Sequence, residues 1–148
     1  MTLDNLVGKS LDAVAPDKHM IQRLLAAARR NIEDAQTTTL SNENRFDMAY
    51  KAIMQLANAS LQANGYRTVT SVPGHHQTMI QSLAKTVGLD KDIIVELDIL
   101  RKQRNIADYS GDLITDRSMQ ACLDHADALW KLVNQYLLEN HADLISKA

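Results

Sequence analysis

The chain contains few of the residues that cross-link a fold or interrupt its helices. Among its 148 residues are a single cysteine, Cys122, two prolines and five glycines. One cysteine cannot form an internal disulfide, so we expect a protein of the reducing cytoplasm. No apolar run approaches the ~18 residues that a membrane span requires, and we therefore expect no membrane partner.

Neither sign of charge dominates the composition. The sequence has 16 lysines and arginines against 18 acidic residues, for a formal net charge of −2. This balance argues against a strongly basic nucleic-acid surface over the whole protein. It leaves room for a local basic cluster, and Arg101, Lys102 and Arg104 stand together as one.

Signatures of metal and cofactor sites are lacking as well. The sequence has neither a glycine-rich phosphate loop nor the ligand spacing of a zinc site, so we expect no cofactor and no metal. The adjacent His75 and His76 would point ~100° apart on a helix. Their position favours packing at a helix start; a second interpretation places one of them at the mouth of a cleft, as a proton carrier.

What the chain does contain is apolar residues at helical spacing. Four long amphipathic segments with connections of ordinary length predict an all-α, up-down bundle with a short N-terminal helical clasp. We expect the clasp over residues 1–16, the bundle over 17–140 and a polar tail over 141–148. Residues 66–74 have some β-like composition, but we expect them to be too isolated to form a sheet.

The second long helix has the clearest boundaries and the clearest face. Ser41 or Asn42 is suited to cap its start, and Gly65 to follow its end. Its spacing predicts that one continuous apolar face is buried. That face comprises Phe46, Ala49, Tyr50, Ile53, Met54, Ala57, Ser60 and Leu61.

A cation interrupts the apolar stripe of the helix that follows Asp90. Arg104 falls on the same narrow stripe as Leu97 and Leu100, where a hydrophobic residue is expected. A guanidinium is costly there unless it meets carboxylates, carbonyls, phosphate or water. Two interpretations stay open. Either Asp108, at i+4, neutralises Arg104, or Arg104 and its neighbour Asn105 lie in a cleft as donors to a phosphate.

The segment from Leu100 to Tyr109, between the Phe46–Leu61 and Met119–Leu137 helices, resembles a HEPN domain over roughly residues 20–140. HEPN domains are small all-α bundles of prokaryotic defence and toxin–antitoxin systems, often encoded beside a minimal nucleotidyltransferase. Their motif is an Arg, usually followed by a polar residue, and a His four to six residues further on. In active members a two-fold dimer brings both motifs into one cleft, which cleaves RNA without a metal.

Arg104 and Asn105 match the start of the motif, but Tyr109 stands where a common variant of the family has its His. A phenol with a pKa near ~10 is a poor base at neutral pH. On a straight helix, moreover, Tyr109 lies about 140° from Arg104, whereas Asp108 lies about 40° away. Tyr109 therefore reaches the cleft only if the helix ends or tightens near Ala107.

The resemblance and the departure together predict a homodimeric module that binds RNA, a nucleotide or a protein partner without nuclease turnover. Its expected ligand-binding residues are Arg104, Asn105, Tyr109, Arg101 and Lys102. One alternative is a metal-independent endoribonuclease toxin with Arg104, Tyr109 and Asp108 as candidate catalytic residues. Another is a purely structural helical dimer. The resemblance also implies that a nucleotidyltransferase-type protein is a possible partner.

Overall fold

The computed structural model describes residues 3–145, and within them helices predominate. The all-α class predicted from the periodicity is confirmed. Four of the helices are long, as expected, and together they form one bundle. In chain order the helices are α1 (Lys18–Ala35), α2 (Asn42–Ala63), α3 (His75–Thr86), α4 (Lys91–Ser110), α5 (Asp116–Asn140) and α6 (Ala142–Ile145).

Helix α2 lies at the centre of the bundle, with α1 and α5 packed against it most extensively and α3 and α4 beside them. All eight residues of its predicted apolar face are buried. The helix begins where the Ser41 hydroxyl accepts a hydrogen bond from the backbone N–H of Asn44, at 3.1 Å. Gly65, at φ +91°, follows its last turn. Both ends therefore agree with the capping pattern in the sequence.

The expectation that residues 66–74 form no sheet is wrong. Strand β1 (Leu11–Ala13) pairs antiparallel with β2 (Tyr66–Thr68), with Leu11 opposite Thr68. The backbone bond from Val14 N–H to the Gly65 carbonyl extends the pairing. Strand β1 lies in the N-terminal clasp, after a 3-10 turn at Leu3–Leu6. Periodicity within either segment cannot reveal a partner that is so distant along the chain.

The end of the described chain packs onto the bundle. Residues of the predicted polar tail form α6, and Leu144 is buried where α6 meets α1. Residues 146–148 of that tail lie outside the described range. Within residues 3–145, no helix combines the length and the hydropathy that crossing a bilayer requires.

Candidate functional site

A cavity of about 300 Å³ opens beside Arg104, between α2, α3 and α4. Helix α2 contributes most of its wall through residues spaced three or four apart, which share one side of a helix. Helix α3 closes another side with its first turns, and α4 contributes the arginine. The lining residues are Tyr50, Lys51, Met54, Gln55, Asn58, His76, Met79 and Arg104.

The guanidinium of Arg104 contacts two carboxylates and one aromatic ring. Its Nε donates a hydrogen bond to Asp47 Oδ1 at 3.0 Å, and its Nη2 lies 3.7 Å from Asp108 Oδ2. Its central carbon lies 5.1 Å from the centre of the Tyr50 ring, within the range of a cation–π contact. The side chain remains 29% exposed. The pair with Asp108 that the i+4 spacing indicates is thus present, and Asp47 is an additional partner.

These contacts keep Arg104 charged but occupy only some of the hydrogen-bond donors of its guanidinium. Burial acts to lower the pKa of Arg104, but the hydrogen bond and charge of Asp47, followed by the charge of Asp108, raise it overall. Among the described residues, the hydrogen bond of the guanidinium is made through Nε. The Nη groups therefore retain donors for an acceptor that enters the cavity.

Tyr50 and His76 form a neutral polar pair next to Arg104. Tyr50 Oη lies 3.1 Å from His76 Nδ1. Burial raises the pKa of Tyr50 to about 12, against the opposing charges of Arg104 and Arg101. Burial also lowers the pKa of His76, and the neighbouring His75 and Arg104 lower it further. At neutral pH the phenol is therefore protonated and the imidazole is uncharged.

The structure agrees with a part of each interpretation of the histidine pair, because His75 and His76 begin α3 and His76 also lines the cavity. His76 lines the cavity together with Arg104, as the proton-carrier interpretation requires of one of them. Helix α3 begins at His75, directly after Gly74, which is at φ +85° and makes no side-chain cap. The first backbone N–H groups of α3 therefore have no capping side chain and favour an anion nearby.

The other residues of the predicted basic cluster do not line this cavity within one protomer. Arg101 Nε donates to Asp98 Oδ1 at 2.8 Å, and Lys102 lies 3.5 Å from the same carboxylate. Asn105 is exposed on α4. Helix α4 continues to Ser110, so Tyr109 stays on the far side from Arg104 and is 89% exposed.

Four polar residues of the site were not anticipated from the sequence. They lie on α2 at intervals of three or four residues, beside the apolar face rather than on it. This spacing places the four side chains in one stripe along the helix, and it is the feature of the sequence from which they could have been identified. The residues are Asp47, Lys51, Gln55 and Asn58.

The opposite side of α4 has a different chemistry. Val95, Ile99 and Ile106 are each about half exposed. Together with Tyr109 and the exposed Lys102, which lies among them on the same side of the helix, they form one stripe. At ~100° per residue, Val95 lies about 180° from Arg104 around the helix axis. We call this stripe the outer face of α4. The cavity and the outer face therefore lie on opposite sides of one helix.

Comparison with known proteins assigns this architecture to a family. The profile of the HEPN domain family matches residues 21–136, which is most of the chain. No curated protein sequence matches the chain. Within residues 3–145, no group of three or more His, Cys, Asp or Glu side chains is placed to hold a metal ion.

Proposed function

Because this chain belongs to the HEPN domain family, we propose that it is an RNA-binding module whose cavity beside Arg104 receives a phosphate. The family match indicates an RNA-related or nuclease-like module. The observation that carries the proposal is the half-buried guanidinium that lines a cavity while its Nη groups keep free donors. A phosphate offers those donors a bidentate partner.

The surroundings of Arg104 favour exchange of a carboxylate for a phosphate. Asp108 is about half exposed, and at 3.7 Å it pairs with Arg104 through charge without a hydrogen bond. Exposed pairs of this kind contribute only about 0–1 kcal/mol, so displacing Asp108 costs little. Lys51 and the uncapped start of α3 add positive potential at the same cavity.

The proposed module binds RNA without cleaving it, because Tyr109 replaces the motif's His and points away from Arg104. One observation favours a second candidate, a metal-independent endoribonuclease. His76, which is neutral at pH 7, shares the cavity with Arg104. In that reaction the 2′-hydroxyl oxygen attacks phosphorus and passes its proton to His76, while the leaving 5′-oxygen takes a proton from a second group.

We also propose that the outer face of α4 forms a two-fold homodimer. HEPN domains commonly dimerise. Val95, Ile99 and Ile106 present a largely apolar stripe, interrupted by Lys102, that a second copy can cover. Arg104 lies on the other side of the helix. A dimer through this face leaves each protomer with its own complete cavity, so a shared cleft is not needed for binding.

The test is binding of fluorescently labelled single-stranded RNA, measured by anisotropy at fixed salt. We expect Arg104→Ala to weaken binding at least about tenfold, the scale of a lost charge-assisted pair. Arg29→Ala is the control, because Arg29 also donates Nε to a carboxylate at 3.0 Å, that of Glu33, but lies on α1. Equal effects of the two changes, or no binding by the wild type, would contradict the proposal.

Electrophoresis of the same RNA after incubation in EDTA separates the two candidates. The binding module leaves the RNA intact. The endoribonuclease cleaves it, and His76→Gln abolishes cleavage while leaving the helical content by circular dichroism unchanged. Full activity of the His76→Gln protein would exclude His76 as the base.

A further inference from the structure

Two amide side chains of α2 present donors to the cavity, because their oxygens are already used. Gln55 Oε1 accepts a hydrogen bond from Asn31 Nδ2 at 2.9 Å. Asn58 Oδ1 accepts one from Gln62 Nε2 at 3.1 Å. No acceptor within residues 3–145 engages Gln55 Nε2 or Asn58 Nδ2, and both residues line the cavity. At i and i+3 they offer neighbouring N–H donors that are unengaged within residues 3–145, whereas each oxygen already accepts one hydrogen bond and retains only its second lone pair.

The rest of the lining suits a flat aromatic ligand. Met54 and Met79 are both 7% exposed and contribute thioethers, which pack well against rings. A volume of about 300 Å³ is at the lower end of the range for small-molecule sites, ~300–1,000 Å³. The cavity is therefore of a size to hold one nucleotide unit rather than a duplex.

The distance along α2 also matches one nucleotide. Arg104 stacks on Tyr50, and Asn58 lies eight residues further along the helix, a rise of about 12 Å. This separation is comparable to the length of a nucleotide from its phosphate to the far edge of its base. With a phosphate at Arg104, the base edge reaches Gln55 and Asn58.

We propose that this part of the cavity recognises guanine in a single-stranded RNA, an inference that rests on the proposed function. Guanine presents two adjacent acceptors, O6 and N7, on one edge. Adenine replaces the first acceptor with the N6 amino donor, and cytosine presents the N4 amino donor. Two unengaged neighbouring donors therefore match guanine. Adenine would place its N6 amino group against one of those donors or against an amide oxygen that already accepts a hydrogen bond.

The test compares the affinities of the wild-type protein for 5′-GMP, 5′-AMP, 5′-UMP and 5′-CMP by isothermal titration calorimetry. We expect GMP to bind about tenfold more tightly than AMP, the scale of one matched base contact. The substitutions Gln55→Glu and Asn58→Asp preserve the acceptor oxygens that Asn31 and Gln62 use and remove only the cavity-facing donors. In each variant we expect the GMP-to-AMP affinity ratio to fall to about one or below.

Lys51→Gln controls for charge, because it changes the net charge by the same −1 without touching either amide. It should weaken all four nucleotides alike and leave the GMP-to-AMP ratio unchanged. Equal wild-type affinity for the four nucleotides, or a ratio that survives both amide substitutions, would overturn the guanine assignment. If Arg104→Ala still weakens RNA binding in that case, the proposed function stands. If no RNA or nucleotide binding depends on Arg104, both proposals fall.

Discussion

The two sides of α4 differ in what surrounds them. On the inner side, Arg104 lies against α2 with two carboxylates and an aromatic ring, at the edge of a cavity. On the outer face, Ile106 is 51% exposed. One helix thus separates a polar pocket from a largely apolar surface that the described residues leave about half exposed, and this surface is the one that we propose a second copy covers.

On the two proposals made above, ligand binding and association should be independent to first order. In the active HEPN domains that the motif resembles, a dimer brings two motifs into one cleft, so loss of the dimer would remove the site. Here Arg104 and Val95 lie about 180° apart on α4, so a substitution on one side should leave the other intact. Three further changes test this separation, from the largest expected effect to the smallest.

The largest effect should come from a charge on the outer face. Ile106→Glu places a carboxylate where a second copy would cover an apolar side chain, so we expect the dimer dissociation constant to rise about a hundredfold. Analytical ultracentrifugation measures the change. Leu138→Glu is the control, because Leu138 is an exposed hydrophobic residue on α5. RNA affinity per protomer should be unchanged; its loss together with the dimer would show that the two sides of α4 are coupled.

Asp47→Asn should have a smaller effect, and it should strengthen RNA binding rather than weaken an interaction. The amide keeps an oxygen for Arg104 Nε but removes a negative charge next to the guanidinium, so we expect RNA to bind about three- to tenfold more tightly. Asp47 is 44% exposed, so the free energy of unfolding should fall by no more than about 1 kcal/mol.

Asp98→Asn is the matched change for Asp47→Asn, because its partner Arg101 does not line the cavity. Anisotropy titrations of the two variants should diverge, with only Asp47→Asn gaining affinity. Weaker binding by Asp47→Asn would instead assign Asp47 a direct role in holding the ligand.

The smallest effect should be a pH dependence of stability and of RNA affinity that arises from His76 in the cavity. Because the folded protein lowers the pKa of His76 below its ordinary value of 6.5, the unfolded chain binds more protons in the interval between the two values. The contribution of His76 to stability is therefore complete above about pH 6.5 and is lost as the pH falls through the folded-state pKa. RNA affinity should change in the opposite direction, since a protonated His76 adds positive charge beside the phosphate.

Urea denaturation at pH 7.5 and 5.5 measures the change in stability, and anisotropy at the same pH values measures the change in RNA affinity. His76→Gln is the reference, because it should lack both contributions of His76. The dimer dissociation constant should show no dependence on His76 over this interval. Parallel trends in the wild type and in His76→Gln would attribute the pH dependence to other groups.

Sequence reasoning succeeded where the determinants are local. The apolar face of α2 and the caps at Ser41 and Gly65 follow from spacing within one helix. The pair of Arg104 with Asp108 is likewise local, at i+4. Asp47, in contrast, is 57 residues from Arg104 along the chain, and only the packing of α2 against α4 brings the two together.

Three further outcomes depended on where elements end and how they pack. Tyr109 could have reached Arg104 had α4 ended near Ala107, but the helix continues to Ser110. The role of His76 depended on the orientation of α3, which periodicity does not specify. The sheet of β1 and β2 joins segments that show no mutual signal in the sequence.

That small sheet has a consequence for the entrance of the cavity. Strand β2 precedes the connection that leads into α3, and the backbone bond from Val69 N–H to the Ser10 carbonyl ties this connection to the N-terminal segment. A fragment that lacked the first 17 residues would retain every side chain that lines the cavity. It would nevertheless lose strand β1, whose pairing with β2 fixes the position at which the connection to α3 begins, and therefore the position of His76.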